Sequence, residues 1–222
     1  KFRILNEYRT QLQNLWTGNP LDKVDANGHT HSIVTYPRPV QKKLPLWLTT
    51  SKQEDAWRFA GENNLNVLSA LINFGPKELE KRIGIYRKAR SSVGLKPEDG
   101  VVSLMLHTFV DRSTEQAVTR VRPALTDYLK SFVTQHQTAN TETDDKVKTL
   151  QTLGNDSDDF VDMVFNRYIT TSSLIGDPVQ CQTILAGFKS MGVDEIACLV
   201  DFGLSKNEVL ASLSLLSSLL KH

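Results

Sequence analysis

Apolar and polar positions fall along this chain in alternating blocks. The clearest is Leu44-Pro-Leu-Trp-Leu-Thr-Thr-Ser51, then Trp57-Arg-Phe-Ala-Gly61, then Asn66-Val-Leu-Ser-Ala70. This reads as a buried strand, a polar loop, a helix and a second buried strand, which together make a parallel βαβ unit. The rhythm continues. Pro76–Ser92 is a long helix with proline near its start and Gly94 just past its end. Val101–Val110 is a strand, and Glu115–Val133 a helix interrupted or bent near Pro123. A helix is expected around Phe160–Tyr168. Asp177 caps another that runs to about Met191 and stops at Gly192. Glu195–Val200 is a strand, and Lys206–Leu220 a last amphipathic helix.

Upstream, Ile4, Leu5, Tyr8, Leu12, Leu15 and Trp16 recur at helical spacing until Gly18-Asn-Pro20. The helix starts as if in mid-course, which suggests a preceding segment. Asn27-Gly28, before the extended Ser32–Tyr36, predicts a small hairpin. Residues 134–158 are polar and read as an insertion. Four strands, 46–49, 66–72, 101–110 and 195–200, thus alternate with helices. That pattern argues for a parallel sheet clad in helices. An open doubly wound sheet and part of a (β/α)8 barrel both satisfy it. No glycine-rich dinucleotide fingerprint or phosphate-binding Walker loop is present.

Composition narrows the class. The 222 residues carry a net charge of +1, which gives no strong field for nucleic acid or acidic lipid. No apolar stretch is long enough for a membrane span. The two cysteines, Cys181 and Cys198, form no disulfide framework and fit a reducing cytoplasm, and Cys198 is expected in the core. His29 and His31 share one strand face, but without a third ligand they predict a solvated hairpin and no metal site.

Candidate chemistry lies where the strands end. Thr49, Thr50 and Ser51 open straight into a helix, and there free N–H groups and the helix dipole favour an anion; a plain hydroxyl-rich cap is the alternative. Asn73-Phe74-Gly75 follows the second strand. His107 and Thr108 interrupt an apolar strand, and His107 is either an acid/base or a satisfied core histidine. Asp201-Phe-Gly203 closes the last strand, with Asp201 either a functional carboxylate or a turn residue.

Several stretches resemble the luciferase-like, flavin-dependent monooxygenases: Thr35-Tyr-Pro-Arg-Pro-Val-Gln41 with Leu44–Thr50, Leu104-Met-Leu-His-Thr-Phe-Val110, Leu174-Ile-Gly-Asp-Pro-Val-Gln-Cys181, and Gly192–Gly203. The closer likeness is to the subgroup embedded in nonribosomal peptide and polyketide assembly lines. The resemblance implies a TIM barrel of which residues 1–222 form the C-terminal part, strands five to eight, as a single domain. It carries an irregular hairpin insertion and the polar insertion near 134–158. Strands one to four, on the order of 120 residues, would lie outside this sequence. By the same resemblance the loop of Thr49, Thr50 and Ser51 holds the FMN phosphate; the other loops at the strand ends then make Asn73 a border of the flavin ring or substrate and His107 and Asp201 the catalytic candidates. Reduced FMN, from a separate flavin reductase, and oxygen would then oxygenate an organic substrate. That substrate is an aminoacyl or acyl chain, on a carrier protein or as a small molecule, in secondary metabolism in the cytoplasm. The competing expectations are a non-catalytic flavin-binding or scaffold half-barrel that closes by pairing as a homodimer, and a deazaflavin-dependent oxidoreductase.

Overall fold

A computed structural model describes residues 2–71, 74–139 and 158–219. Helix α1 (Phe2–Thr17) ends where Gly18 takes a left-handed φ of +89°. Strands β1 (Leu21–Val24) and β2 (Thr30–Ile33) form the hairpin, antiparallel, with Val24 opposite Thr30. The second strand begins two residues before the expected Ser32. The Asp25 side chain sets this register: its Oδ1 accepts the N–H groups of Asn27 and His29, at 2.8 and 2.9 Å, and closes the turn early.

The alternating region follows as β3 (Trp47–Thr49), α2 (Glu54–Glu62), β4 (Asn66–Ala70), α3 (Pro76–Ser92) and β5 (Val102–Val110). Then come α4 (Thr114–Ala139), α5 (Asp158–Ser172), β6 (Ser173–Gly176), α6 (Pro178–Ser190), β7 (Glu195–Leu199) and α7 (Lys206–Ser218). Two expectations change here. Helix α4 continues through Pro123 to Ala139, six residues past the expected end, because Val121 and Leu125 on either side of the proline are fully buried and hold it in line. The rest of the expected polar insertion, 140–157, lies outside the described residues.

The second change is a fifth strand. Ser173–Gly176 is wholly buried, and four residues are too few to show an alternating pattern. Among the described residues all five strands of this sheet are parallel. β3 pairs β4, and β4 pairs β5 along 102–105. β5 also carries β7 along 103–107 and β6 along 107–110. Two apolar clusters secure the arrangement. One joins Trp57, Val67, Leu79, Tyr86, Leu104 and Phe188 between sheet and helices. The other gathers Phe109, Val121, Leu125, Phe165, Tyr168 and Phe202 around the far end of β5. Helices α2 and α3 approach so closely that a Cβ on Gly61 would stand 2.6 Å from the Tyr86 carbonyl oxygen.

Cys181 is buried, whereas Cys198, expected in the core, is exposed. β7 meets β5 on one edge and no other described strand on the second, so its flank beside Leu216 and Leu219 stays open.

Thr49, Leu68, Ser103 and Glu195 share one register line, from which β4 runs on to Ala70, β5 to Val110 and β7 to Leu199. Along that register Asp201 lies four residues beyond Ser51. In an eight-stranded barrel of shear eight, equal height advances about one residue per strand. The three steps from β3 to β7 absorb about three of those four residues. Ser51 and Asp201 therefore stand at the same end of the sheet, at the strands' C-terminal mouth.

Candidate active site at the strand mouth

The loop after β3 is an extension of the sheet, with Thr50 N–H donating to the Leu68 carbonyl at 3.0 Å. Thr49 is exposed, and Thr50 and Ser51 are half-buried. None of the three hydroxyls makes a hydrogen bond among the described residues. Two buried side chains hold the next turn from behind. Trp57 Nε1 donates to the Ser51 carbonyl at 2.6 Å, and Arg82 donates to the Lys52 carbonyl through Nε at 3.0 Å and Nη2 at 2.8 Å. Gln53 then starts α2 in an extended conformation (φ −76°, ψ 104°) without capping the helix with its side chain. The N–H groups of Gln53, Glu54 and Asp55 have no partner among the described residues. Gln53, Glu54 and Asp55 line, with Phe2, a surface cavity of about 420 Å³.

These donors and unused hydroxyls suit a phosphate. The first-turn acids are the obvious objection, and the structure answers half of it. Glu54 turns to Lys81, 2.9 Å away, whose hydrogen bond and charge hold its carboxyl below the usual range. Asp55 is exposed. The donor set therefore fits the phosphate of a flavin nucleotide.

His107 occupies a different setting. It is 1% exposed, Nδ1 shares a hydrogen with the Tyr168 hydroxyl at 2.6 Å, and Nε2 has no partner among the described residues. The rings of Tyr128, Phe202 and Tyr168 stand edge-on at 4.4, 5.1 and 5.5 Å. Burial pushes the imidazole pKa down from 6.5 to about 4 and the Tyr168 phenol up, so both are neutral at pH 7. Asp201 is exposed just beyond β7, and the next residue, Phe202, packs on His107. The structure thus links His107 to the Asp201 loop through an aromatic wall, with the imidazole sealed behind it. Asn73 lies outside the described residues.

Sequence reasoning missed Trp57, Arg82, Tyr168 and Tyr128. Each sits at a helical position where periodicity reports only a buried or half-buried face. At the hairpin, Asp25 Oδ2 lies 2.9 Å from His31 Nε2 and 3.7 Å from His29 Nδ1. Among the described residues no three His, Cys, Asp or Glu side chains are placed to hold a metal, and no helix is long and apolar enough to cross a membrane.

A parallel, helix-clad sheet with an uncapped helix start at its C-terminal mouth is an architecture of the TIM-barrel type. The chain matches the family described as luciferase-like monooxygenase over residues 1–195, and it belongs to that family. Solved structures with this fold include the monooxygenase RslO1 from Streptomyces bottropensis, at 15% identity and a TM-score of 0.66 over 97% of this chain and 59% of that one. A second is the oxygenating constituent of 3,6-diketocamphane monooxygenase from the CAM plasmid of Pseudomonas putida, in complex with FMN, at 16% and 0.62 over 97% and 61%. A third is the coenzyme F420 dependent tetrahydromethanopterin reductase from Methanopyrus kandleri, at 15% and 0.64 over 93% and 59%. The chain spans about six-tenths of the length of each of these structures. A search among curated proteins gave no match.

Proposed function

We propose that this chain supplies the phosphate-binding half of a flavin-dependent monooxygenase that uses reduced FMN and oxygen to oxygenate an organic substrate. The observation that carries the reading is the uncapped start of α2, with its free N–H groups and hydroxyls, in a member of this family. When bound, the reduced flavin supplies the electrons that activate oxygen, so that one oxygen atom enters the substrate and the other leaves as water. The protein's own residues bind and orient. Ser51, Thr49 and Thr50 with the N–H groups of Gln53–Asp55 grip the phosphate. Lys81 draws the Glu54 carboxylate aside. The aromatic wall of Tyr128, Tyr168 and Phe202 around His107 keeps water from one side of the mouth. Asp201 presents an acceptor that orients the substrate.

The substrate class proposed is an aminoacyl or acyl chain, carrier-tethered or free, in secondary-metabolite biosynthesis, as in the assembly-line subgroup. A separate flavin reductase is the proposed partner and the cytoplasm the proposed location. The test supplies the protein with FMN, a flavin reductase, isotopically labelled oxygen and an aminoacyl carrier protein. The expected result is one labelled oxygen atom in the substrate. Reoxidation of the flavin with no labelled product overturns the reading. Among the described residues β3 and β7 each pair along one edge, which favours a second reading, a non-catalytic half-barrel that pairs with itself. A dimeric mass without bound flavin would identify it. Titration with coenzyme F420 in place of FMN separates the deazaflavin reading.

A further inference from the structure

We propose that Trp57 and Arg82 are positioning residues that turn the loop after β3 into a phosphate cradle. The proposal rests on the flavin reading above. Both side chains are costly to place where they are. Trp57 is fully buried, and its one polar atom is committed to the carbonyl of Ser51, six residues back. Arg82 is 8% exposed and belongs to α3. It spends two donors on one carbonyl, that of Lys52, thirty residues away. Its remaining nitrogen holds the main-chain and carboxylate oxygens of Glu78, and its guanidinium lies 5.6 Å from the Phe74 ring centre. A buried guanidinium is tolerated only when its donors are used. Here they are used on the backbone of the proposed cofactor loop.

The consequence follows from peptide geometry. In a planar trans peptide the carbonyl of one residue and the N–H of the next point in opposite directions. Among the described residues the one cis bond is Tyr36–Pro37, so the peptides of this loop are trans. Anchoring the Lys52 carbonyl through Arg82 therefore directs the Gln53 N–H away from that side chain, and anchoring the Ser51 carbonyl through Trp57 fixes the backbone of the residue that carries the loop's last hydroxyl. The N–H groups of Gln53, Glu54 and Asp55 have no partner among the described residues. Gln53 does not cap the helix itself, so its donors stay available. Without the two anchors the loop is free to rotate its own carbonyls and side chains onto these N–H groups, as helix starts ordinarily do.

The test compares FMN with riboflavin, which differs by lacking the phosphate. Affinities for both are measured by flavin fluorescence on the full chain, for the wild type, Trp57→Phe and Arg82→Lys. Trp57→Phe keeps the buried ring and removes only the donor, so it decides the matter if Arg82→Lys fails to fold. The expected result is an FMN affinity reduced about tenfold, the scale of one hydrogen bond to a charged group, with riboflavin affinity unchanged. A wild-type preference for FMN that survives both substitutions overturns the positioning role and leaves the phosphate site standing. Equal loss for both flavins also overturns it. A wild type that does not prefer FMN overturns the phosphate site, and this role with it.

Discussion

The sealed position of His107 leads to a prediction about acid stability. Its imidazole is neutral in the fold, with a pKa of about 4 because of burial, against 6.5 for the free side chain. Between these values the unfolded chain binds a proton that the folded chain does not. Stability from this group is thus complete above about pH 6.5 and drains away as the pH falls toward 4. The shift corresponds to about 3 kcal/mol over the whole window, and about 2.5 kcal/mol of it is gone by about pH 4.5. The perturbation is His107→Leu. At pH 7 the variant leaves the Tyr168 hydroxyl without a partner, which costs about 1–3 kcal/mol. In acid the wild type loses its His107 contribution and the variant has none to lose. Carboxylates held low by their partners, Glu54, Asp177 and Glu208, also weaken the fold in acid, but they titrate in both proteins and cancel in the difference. Urea unfolding at pH 7 and at about pH 4.5 reads the gap. The reasoning requires the wild type's advantage to close or reverse. A gap that stays constant would show an imidazole that takes up protons in the folded state, open to solvent as an acid/base group must be.

Two further substitutions test the packing that places the mouth. Gly61→Ala drives a methyl group to 2.6 Å from the Tyr86 carbonyl oxygen and 2.8 Å from the Ala89 Cβ. It should cost about 1–3 kcal/mol, with the thermal midpoint falling about 2–4 °C per kcal/mol. Arg87→Leu removes the guanidinium that donates to the carbonyls of Pro97, Gly100 and Gly192 and to Asp194, whose Oδ2 also accepts the Val102 N–H. With Asp194 itself exposed, the loss should be about 1–2 kcal/mol, read as a lower urea midpoint with an unchanged slope.

Much of this arrangement is written in local pattern. Pro76 at the start of α3, Asp177 as the cap that accepts from Val179 and Gln180, and left-handed Gly94 and Gly192 after their helices all follow from short-range chemistry. The strand-loop-helix run through Ser51 is legible for the same reason. What escapes is set by distance along the chain. Arg82 reaches the Lys52 carbonyl across thirty residues, and Tyr168 meets His107 across sixty-one. Periodicity assigns such residues a face but not a partner. Cys198 illustrates the converse: its apolar neighbours suggest the core, while its exposure depends on which strands flank β7. β6 was invisible because its four residues follow a helix without a turn signal and are buried on both faces.

The central claim is that the start of α2 receives the phosphate of a flavin nucleotide. The most direct measurement is a crystal structure of the chain with FMN bound. The account predicts phosphate oxygens within about 3 Å of the Gln53 and Glu54 N–H groups and the Ser51 hydroxyl. A phosphate seated elsewhere, or a flavin at the N-terminal ends of the strands, would contradict it.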